Sequence, residues 1–381
     1  MAVTRGTGAG RGSTSRTSSA RTARPAAPPI LVRQIRNGVV EAVHRGDVVE
    51  VDGSGRMLHV IGDPDRVVNL RSAVKPFGLL ALLRAKGTNE LDLTSEELAL
   101  MASSHSGEDL HVRTLQAMYR RLQISTSVLQ PGVAAPLDAL TAARLARDGE
   151  RPGVVRHMCS GQHTVFILLA KLGGWPMDGY WEPEHPAQRA YADGVAAIFG
   201  VRPDKLVTGL DGCGILTYGF RLRQVAEAYA VLADPAALGA ADPRAAYAAD
   251  LVVIRDAMLA HPEMVAGSRE RLDTSLMKAS DGTIVSKSGM EGLRGVGILP
   301  GARGDGSPAT GIAVKLEDGD GNDRATYSTA VEALRQVGAL EGQALRSLAR
   351  YHRVPSLDSH GRLAAEAIPE FELAPVGELT R

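Results

Sequence analysis

Residues 72–75 read Ser-Ala-Val-Lys and begin a stretch in which apolar side chains recur at helical spacing as far as Leu83. A helix here places Ser72 and Lys75 on one face, because residues three apart are neighbours on a helix. A serine in that position can pass its proton to an unprotonated lysine and attack an acyl carbon. The same four residues also fit an ordinary helix start with a solvated lysine, so this pattern alone leaves both interpretations open.

Lysine is scarce in this chain, which gives Lys75 more weight. Lysine and arginine together number 43, and only seven of these are lysines. Arginine stays protonated in proteins and cannot act as a base. A lysine can do so when burial and a neighbouring cation favour its neutral form. Each retained lysine is therefore a candidate for proton transfer.

The composition indicates a globular protein and argues against several classes of function. Of the 381 residues, 44% are hydrophobic and 4% aromatic, and the net charge is zero. A net charge of zero gives no electrostatic reason to expect a nucleic acid or an anionic membrane as a partner. No apolar run approaches the ~20 residues that cross a bilayer. Two cysteines are too few for a secreted disulfide scaffold and fit a reducing compartment.

The first 29 residues differ from the rest of the chain. They are rich in Gly, Ser, Thr, Ala and Pro, and they carry five arginines and no acidic residue. This composition predicts a disordered basic tail over residues 1–29. The tail lacks the apolar segment of a signal peptide, so we expect a cytoplasmic protein.

Residues 30–381 are predicted to form one α+β domain, an antiparallel sheet flanked by helices with a helical subdomain. Between residues 30 and 61, β-branched clusters alternate with turn residues such as Arg45-Gly46, which predicts an antiparallel meander. The middle, about residues 90–260, is mostly helical, with a helix start at Thr94-Ser95-Glu96-Glu97. Strand signals return between residues 283 and 316. This order fits terminal segments that share one sheet.

Three more motifs carry candidate chemistry. Ser103-Ser104-His105-Ser106-Gly107-Glu108 combines hydroxyls, an imidazole and a carboxylate, although serine and glycine are also ordinary loop residues. Lys287-Ser288-Gly289 follows a predicted strand, as the K-T-G triplet follows S-x-x-K in penicillin-binding enzymes and serine β-lactamases. Cys159 and Cys213 lie in turn-forming stretches and are either part of a metal site or two unrelated buried thiols.

Taken in order, these motifs resemble the L-asparaginase II family, and the resemblance runs from about Leu31 to about Gly361. The strings that carry it are Arg71–Pro76, Ser103–Glu108, Cys159–His163, Glu182–Pro186, Asp211–Gly214, Asp273–Met277, Lys287–Gly292, Gly311–Lys315 and Glu317–Asp320. The resemblance implies a fold similar to the serine β-lactamases and glutaminases, and a homodimer. It also implies two Ser–Lys tandems, which by motif position are Ser72 with Lys75 and Ser104 with Lys287.

The resemblance further implies a zinc site made by two cysteines and a lysine. The cysteines correspond to Cys159 and Cys213, but the lysine position holds Gln162. A glutamine amide offers only a weak carbonyl oxygen to zinc, so we expect looser binding, or completion of the site by His163. No organic cofactor is expected.

The predicted function is an amidohydrolase that converts L-asparagine to L-aspartate and ammonia. Ser72 is the first choice of nucleophile, with backbone N–H groups of Ser72 and of residues 287–289 expected to meet the oxyanion. Arg71, Asp211 and His163 are candidates for holding the zwitterionic substrate. The alternatives are a β-lactamase-like or penicillin-binding-like hydrolase, a glutaminase, and a catalytically silent relative that only binds an amino acid or a partner protein.

Overall fold

The computed structural model of this protein describes residues 27–321 and 323–378, so the predicted tail lies outside the described residues except for positions 27–29. The strands are β1 (Ile30–Arg36), β2 (Val39–Asp52), β3 (Met57–Ile61), β4 (Val67–Asn69), β5 (Val207–Leu210), β6 (Leu216–Arg221), β7 (Ile284–Ser288), β8 (Leu293–Ile298), β9 (Thr310–Leu316), β10 (Val354–Leu357), β11 (Leu363–Pro369) and β12 (Ala374–Pro375).

The helices are α1 (Lys75–Gly78), α2 (Leu80–Arg84), α3 (Gly87–Glu90), α4 (Ser95–Met101), α5 (Asp109–Arg121), α6 (Ala139–Arg147), α7 (Ser160–Gly173), α8 (Pro186–Ile198), α9 (Leu222–Ala233), α10 (Ala248–Ala260), α11 (Pro262–Val265), α12 (Leu272–Ala279), α13 (Arg324–Gln336), α14 (Gly342–Ser347) and α15 (Ala349–His352). Within this part of the chain, no helix combines the length and the apolar character needed to cross a membrane.

Strands from the two ends of the domain pair in one antiparallel sheet. Its order is β10-β11-β1-β2-β9-β8-β7, with β3 bound to β2 and β12 bound to β3. The predicted α+β class and the shared sheet of the terminal segments are therefore confirmed. Helix α9 packs on β2, β8 and β9, while α13 packs on β1, β9 and β11. These helices supply the apolar cover that a sheet of this kind needs.

The predicted turn at Arg45-Gly46 is wrong, because β2 runs through it as one strand. Arg45 pairs with Ile30 of β1, and Gly46 pairs with Leu316 of β9, so this dipeptide marks a change of partner strand. A side chain at Gly46 would place its Cβ 2.3 Å from the Lys315 carbonyl oxygen. The glycine is thus needed for the close approach of the strands and not for a turn.

A small second sheet, in the order β4-β6-β5, was not predicted from the sequence. Its strands have only three to six residues, too few to show a clear alternation of apolar and polar side chains. The predicted helix start at Thr94 is confirmed by a capping box, in which the Glu97 N–H donates to Thr94 Oγ1 over 3.2 Å and the Thr94 N–H donates to Glu97 Oε2 over 3.0 Å.

The Ser-Ala-Val-Lys stretch lies inside the largest apolar cluster. Ser72 is in a 3₁₀ turn, Arg71–Val74, that continues directly into α1 and α2. The ring of Phe77 meets the rings of Phe199 and Tyr229 edge-on at 5.3 and 5.2 Å between centroids. The Tyr229 hydroxyl donates to the Ala73 carbonyl over 2.8 Å. Packing on several sides therefore fixes the position of this turn.

We expect Gly78→Ala to destabilise the fold by about 1–3 kcal/mol, the usual cost of overpacking a core. A Cβ at Gly78 would lie 1.7 Å from Cζ of Tyr191 on α8. Gly194→Ala on the facing surface of α8 is the matched control, because its Cβ would be 3.5 Å from the nearest atom. That change should be neutral or stabilising by up to about 1 kcal/mol. Urea unfolding measures both, and equal effects at the two glycines would contradict the packing described.

Candidate active site

Ser72 sits where the second sheet meets the apolar core. The preceding residue, Arg71, has a positive φ of 48°, a conformation that costs a non-glycine residue free energy. Two contacts hold it there: the Arg71 N–H donates to Thr217 Oγ1 over 3.0 Å, and its guanidinium donates to Asp211 over 2.9 Å. Ser72 lines a cavity, and its hydroxyl forms no hydrogen bond with another described side chain.

The Ser104 hydroxyl lies between two buried lysine amines. Lys75 Nζ and Lys287 Nζ each approach Ser104 Oγ to 3.0 Å. The Lys75 amine also donates to the Ser103 carbonyl over 2.8 Å, and the Lys287 amine donates to the Ser288 carbonyl over 2.8 Å. The predicted contact between Ser104 and Lys287 is thus present. The Lys75 amine, however, reaches Ser104 and not Ser72, so a direct exchange of a proton between Ser72 and Lys75 stays a prediction.

Lys287 occupies an environment that favours its neutral amine. Burial lowers the pKa of Lys287 well below its ordinary value, and the charges of Lys75, Arg271 and Arg294 lower it further against the opposing effect of Asp273. A neutral amine has a free lone pair and can accept the proton of the Ser104 hydroxyl. The pair Ser104–Lys287 can therefore move a proton at the wall of the cavity.

A buried carboxylate organises the strand that carries Lys287. Asp273 accepts hydrogen bonds from the Ser286 and Ser288 hydroxyls over 2.6 and 2.7 Å and forms an ion pair with Arg294. Burial by itself raises the pKa of Asp273, but Arg294, Lys287 and the two hydroxyls outweigh it, so its pKa lies below the usual range and the group is ionised.

The predicted oxyanion donors on this strand are partly unavailable. The Ser288 N–H donates to Asp273 Oδ2 over 3.0 Å, and the Gly289 N–H donates to the Leu293 carbonyl over 2.8 Å. The expectation is therefore wrong for these two groups. The Gly289 N–H is engaged in the β7–β8 hairpin, and the Ser288 N–H is engaged by the carboxylate of Asp273.

Cys159 and Cys213 lie together beside the lysines. Both are buried free thiols, and Lys75 Nζ lies 3.4 Å from Cys159 Sγ. The neighbouring Cys213 thiol lowers the pKa of Cys159 against the effect of burial, and Lys75 lowers it further. The neighbouring Cys159 and burial raise the pKa of Cys213. Cys159, next to Lys75, is thus the more acidic thiol of the pair.

The described residues around this pair supply two thiols but no third strong zinc ligand of the His, Asp or Glu type. The Gln162 amide donates to the Tyr191 hydroxyl over 3.0 Å, and no group of three His, Cys, Asp or Glu side chains in residues 27–321 and 323–378 is arranged to hold a metal. His163 Nδ1 lies 2.7 Å from the Tyr180 hydroxyl. The zinc site implied by the family resemblance stays a prediction.

We expect zinc to bind this protein weakly and Gln162→Lys to tighten the binding by at least about tenfold, since a neutral lysine amine would be a third strong donor. Gln162→Met is the control, because it removes the amide without adding a donor. Isothermal titration with zinc compares the three proteins. Equal affinity of the wild type and Gln162→Lys would refute the dependence on the residue at 162.

The cavity beside Ser72 and Ser104 has a volume of about 970 Å³. Its walls carry both signs of charge. The lining residues that matter for the chemistry are Ser72, Ser104, Ser288, Arg271, Arg294 and Asp320. A cavity with two candidate reacting hydroxyls and opposite charges can hold a small zwitterionic molecule.

The three residues predicted to bind the substrate lie apart from the lining of this cavity. Arg71 and Asp211 form an ion pair with each other. His163 is fully buried, and burial lowers the pKa of His163 to about 3, so the ring is neutral. Their roles toward a substrate stay predictions.

Two residues near the reacting hydroxyls were missed as functional candidates from the sequence. In the sequence, Asp273 stands out only as part of a family string, and Arg271 carries no distinguishing signal because arginine is the common cation of this chain. Nothing in the local pattern distinguishes Arg271 from its neighbour Arg269. Only the folded chain shows that one of them contacts Ser104.

The comparison with curated proteins found no match. Among solved structures, Mglu in its tris and glutamate form is 15% identical over 82% of this chain and 64% of that chain, with a TM-score of 0.34. This chain thus spans less than two thirds of Mglu. The probable glutaminase from Bacillus subtilis complexed with 6-diazo-5-oxo-L-norleucine is 12% identical over 80% of this chain and 82% of that chain, also with a TM-score of 0.34.

Structural similarities with identities of 15% and 12% and TM-scores of 0.34 support no conclusion about activity. The family comparison is stronger, because the model of the L-asparaginase II family matches residues 32–368. The match includes both lysines, both candidate serines and both cysteines. Since it spans most of the sequence, this chain belongs to the L-asparaginase II family.

Proposed function

We propose that this chain is an amidohydrolase that converts L-asparagine to L-aspartate and ammonia through an acyl-serine intermediate. Membership of the L-asparaginase II family supports an amidohydrolase. The observation that carries the proposal is the Ser104 hydroxyl held between two buried lysine amines, at the wall of a cavity that Ser72 also lines. Serine and lysine so arranged can perform acyl transfer without another base.

The hydrogen bonding of the two serines favours Ser72 as the nucleophile. The Ser104 hydroxyl links the two lysine amines, whereas the Ser72 hydroxyl has no partner among the described side chains and lines the cavity. A nucleophile needs a free lone pair directed at the acyl carbon. Ser104 is better placed to pass protons between the lysines and the reacting groups.

The proposed reaction has two halves. Ser72 Oγ attacks the side-chain amide carbon while its proton passes by way of the Ser104 hydroxyl to a lysine amine, and the carbonyl oxygen becomes negative. The tetrahedral intermediate collapses with cleavage of the C–N bond, and the leaving nitrogen takes a proton through Ser104 and departs as ammonia. Water then attacks the aspartyl ester, gives up a proton by the same route, and releases L-aspartate and the Ser72 hydroxyl.

Ammonia release from L-asparagine tests this proposal, with L-glutamine and a chromogenic β-lactam as competing substrates. The proposal requires asparagine to have the highest kcat/KM of the three. A glutaminase would reverse the order of the first two, a β-lactamase-like enzyme would cleave the lactam, and a silent relative would act on none. Any of these three outcomes would overturn the assignment of substrate.

The homodimer implied by the family resemblance is part of this proposal. Light scattering coupled to size-exclusion chromatography measures the mass of the particle directly. A mass of two chains is expected, and a mass of one chain at micromolar concentration would contradict it.

A further inference from the structure

The cavity wall contains an arginine that has no carboxylate partner. Arg271 Nη1 donates to Ser106 Oγ and the Ala266 carbonyl over 3.0 and 3.2 Å, and its Nη2 donates to the Ser104 carbonyl over 3.1 Å. These acceptors carry no formal charge. Within the described residues, no carboxylate oxygen lies within ion-pair distance of this guanidinium, although it is half-buried.

The other arginines that line the same cavity are paired. Arg269 contacts Asp138 over 2.7 Å and Glu108 over 3.0 Å. Arg294 contacts Asp273, and Arg350 lies 3.9 Å from Glu270. A half-buried cation that lacks a counter-charge is costly unless a ligand supplies one. The planar guanidinium suits a carboxylate, which it can bind through two parallel hydrogen bonds.

Arg271 is also tied to the reacting groups. The carbonyl that accepts its hydrogen bond belongs to Ser104, whose hydroxyl lies between the two lysines. A carboxylate on this guanidinium would therefore be close to the residues that cleave the amide. Arg71, the residue predicted for this role, is already paired with Asp211.

A buried acceptor of the opposite charge lines the same cavity. Asp320 is 3% exposed, and its Oδ2 accepts the Thr326 N–H over 2.6 Å. Its Oδ1 has no hydrogen-bond partner. Asp320 and Arg271 both line this one cavity. An ammonium group would satisfy the free oxygen of Asp320.

We propose that Arg271 binds the α-carboxylate of the substrate and that Asp320 receives its α-ammonium group. The inference rests on the proposed function and narrows the range of substrates. It assigns the enzyme to amides of free α-amino acids, and it excludes side-chain amides inside peptides or with a blocked carboxylate as good substrates. Arg271 is thus a specificity-determining residue, whereas Arg269 only stabilises the wall of the cavity through its ion pairs with Asp138 and Glu108.

The test compares two substrates in three proteins. The substrates are L-asparagine and its α-N-methylamide, in which the carboxylate is replaced by a neutral amide. The proteins are the wild type, Arg271→Gln and Arg269→Gln, each checked for folding by thermal melting. Release of ammonia from the side chain gives kcat and KM.

The wild type should prefer asparagine by about 100-fold in kcat/KM, the upper range for a hydrogen-bonded charged group. Arg271→Gln should lower this preference by at least about tenfold, mainly through KM for asparagine, while the methylamide is little affected. Arg269→Gln should keep the wild-type preference. If Arg271→Gln fails to fold, Arg271→Lys replaces it and should retain charge but give an intermediate preference.

The outcomes separate the two proposals. Equal losses on both substrates in Arg271→Gln, or an unchanged preference, would overturn the role of Arg271 while leaving the asparaginase assignment in place. A wild type that releases no ammonia from asparagine would overturn the proposed function itself. A loss of preference in Arg269→Gln equal to that in Arg271→Gln would show that the cavity wall as a whole sets the preference, which also contradicts the inference.

Discussion

Ser72→Ala is expected to lower kcat for L-asparagine by about 10³-fold or more, the scale of loss when a catalytic nucleophile is removed. The reason is chemical, because alanine has no oxygen to form the acyl bond. Little packing is lost, since the hydroxyl has no partner among the described side chains and faces the cavity. Steady-state ammonia release measures the effect, and thermal melting should show a nearly unchanged fold.

Ser275→Ala is the matched control for that change. Ser275 lines the same cavity, but its hydroxyl bonds to the Tyr351 hydroxyl over 3.0 Å and lies outside the lysine cluster. This variant should stay within a few-fold of the wild type, as expected for a group outside the chemistry. If Ser72→Ala keeps more than about one tenth of the wild-type kcat, a loss under ~1.4 kcal/mol, Ser72 is not the nucleophile and Ser104 takes its place.

Arg294→Met is expected to cost about 3–5 kcal/mol of folding free energy, because it leaves a buried carboxylate without its counter-charge. Arg294 and Asp273 are both only 2% exposed on their side chains. The double variant Asp273→Asn/Arg294→Met removes both charges, so its loss should be smaller than the sum of the two single losses. Urea unfolding of the three variants gives the coupling energy.

Arg202→Met is the control for the ion pair. Its partner Asp204 lies 2.9 Å away, and the two side chains are 77% and 52% exposed. A surface pair of this kind contributes about 0–1 kcal/mol, so the loss should be small. Additive losses at Asp273 and Arg294, or equal losses at Arg294 and Arg202, would contradict the buried network that positions Lys287.

The sequence was informative about the fold wherever elements were long and periodic. Helices such as α5 and α9 lie in the middle that is predicted to be helical, and the strands β8 and β9 lie where strand signals return between residues 283 and 316. The second sheet was missed because its strands are short. The turn expected at Arg45-Gly46 failed because a glycine needed for close strand contact looks the same in sequence as a glycine needed for a turn.

For the active site, the most useful signal in the sequence was the rarity of lysine. Lysine stands out in a chain rich in arginine, and both Lys75 and Lys287 lie at the Ser104 hydroxyl. The carboxylate-binding candidate Arg271 could not be found this way, since it is one arginine among many. Whether an arginine is paired depends on tertiary contacts, and these bring Arg271 to Ser106 and Ser104, which lie 165 and 167 positions earlier in the sequence.

The central claim is that Ser72 carries the acyl group, and mass spectrometry of quenched reactions tests it most directly. Trypsin separates the two candidates, because Ser72 lies in the peptide 72–84 and Ser104 in the peptide 87–113. With L-asparagine in excess and acid quenching, the account predicts the mass of one added aspartyl group on peptide 72–84, absent in Ser72→Ala. The aspartyl group on peptide 87–113, or on neither peptide during active turnover, would contradict it.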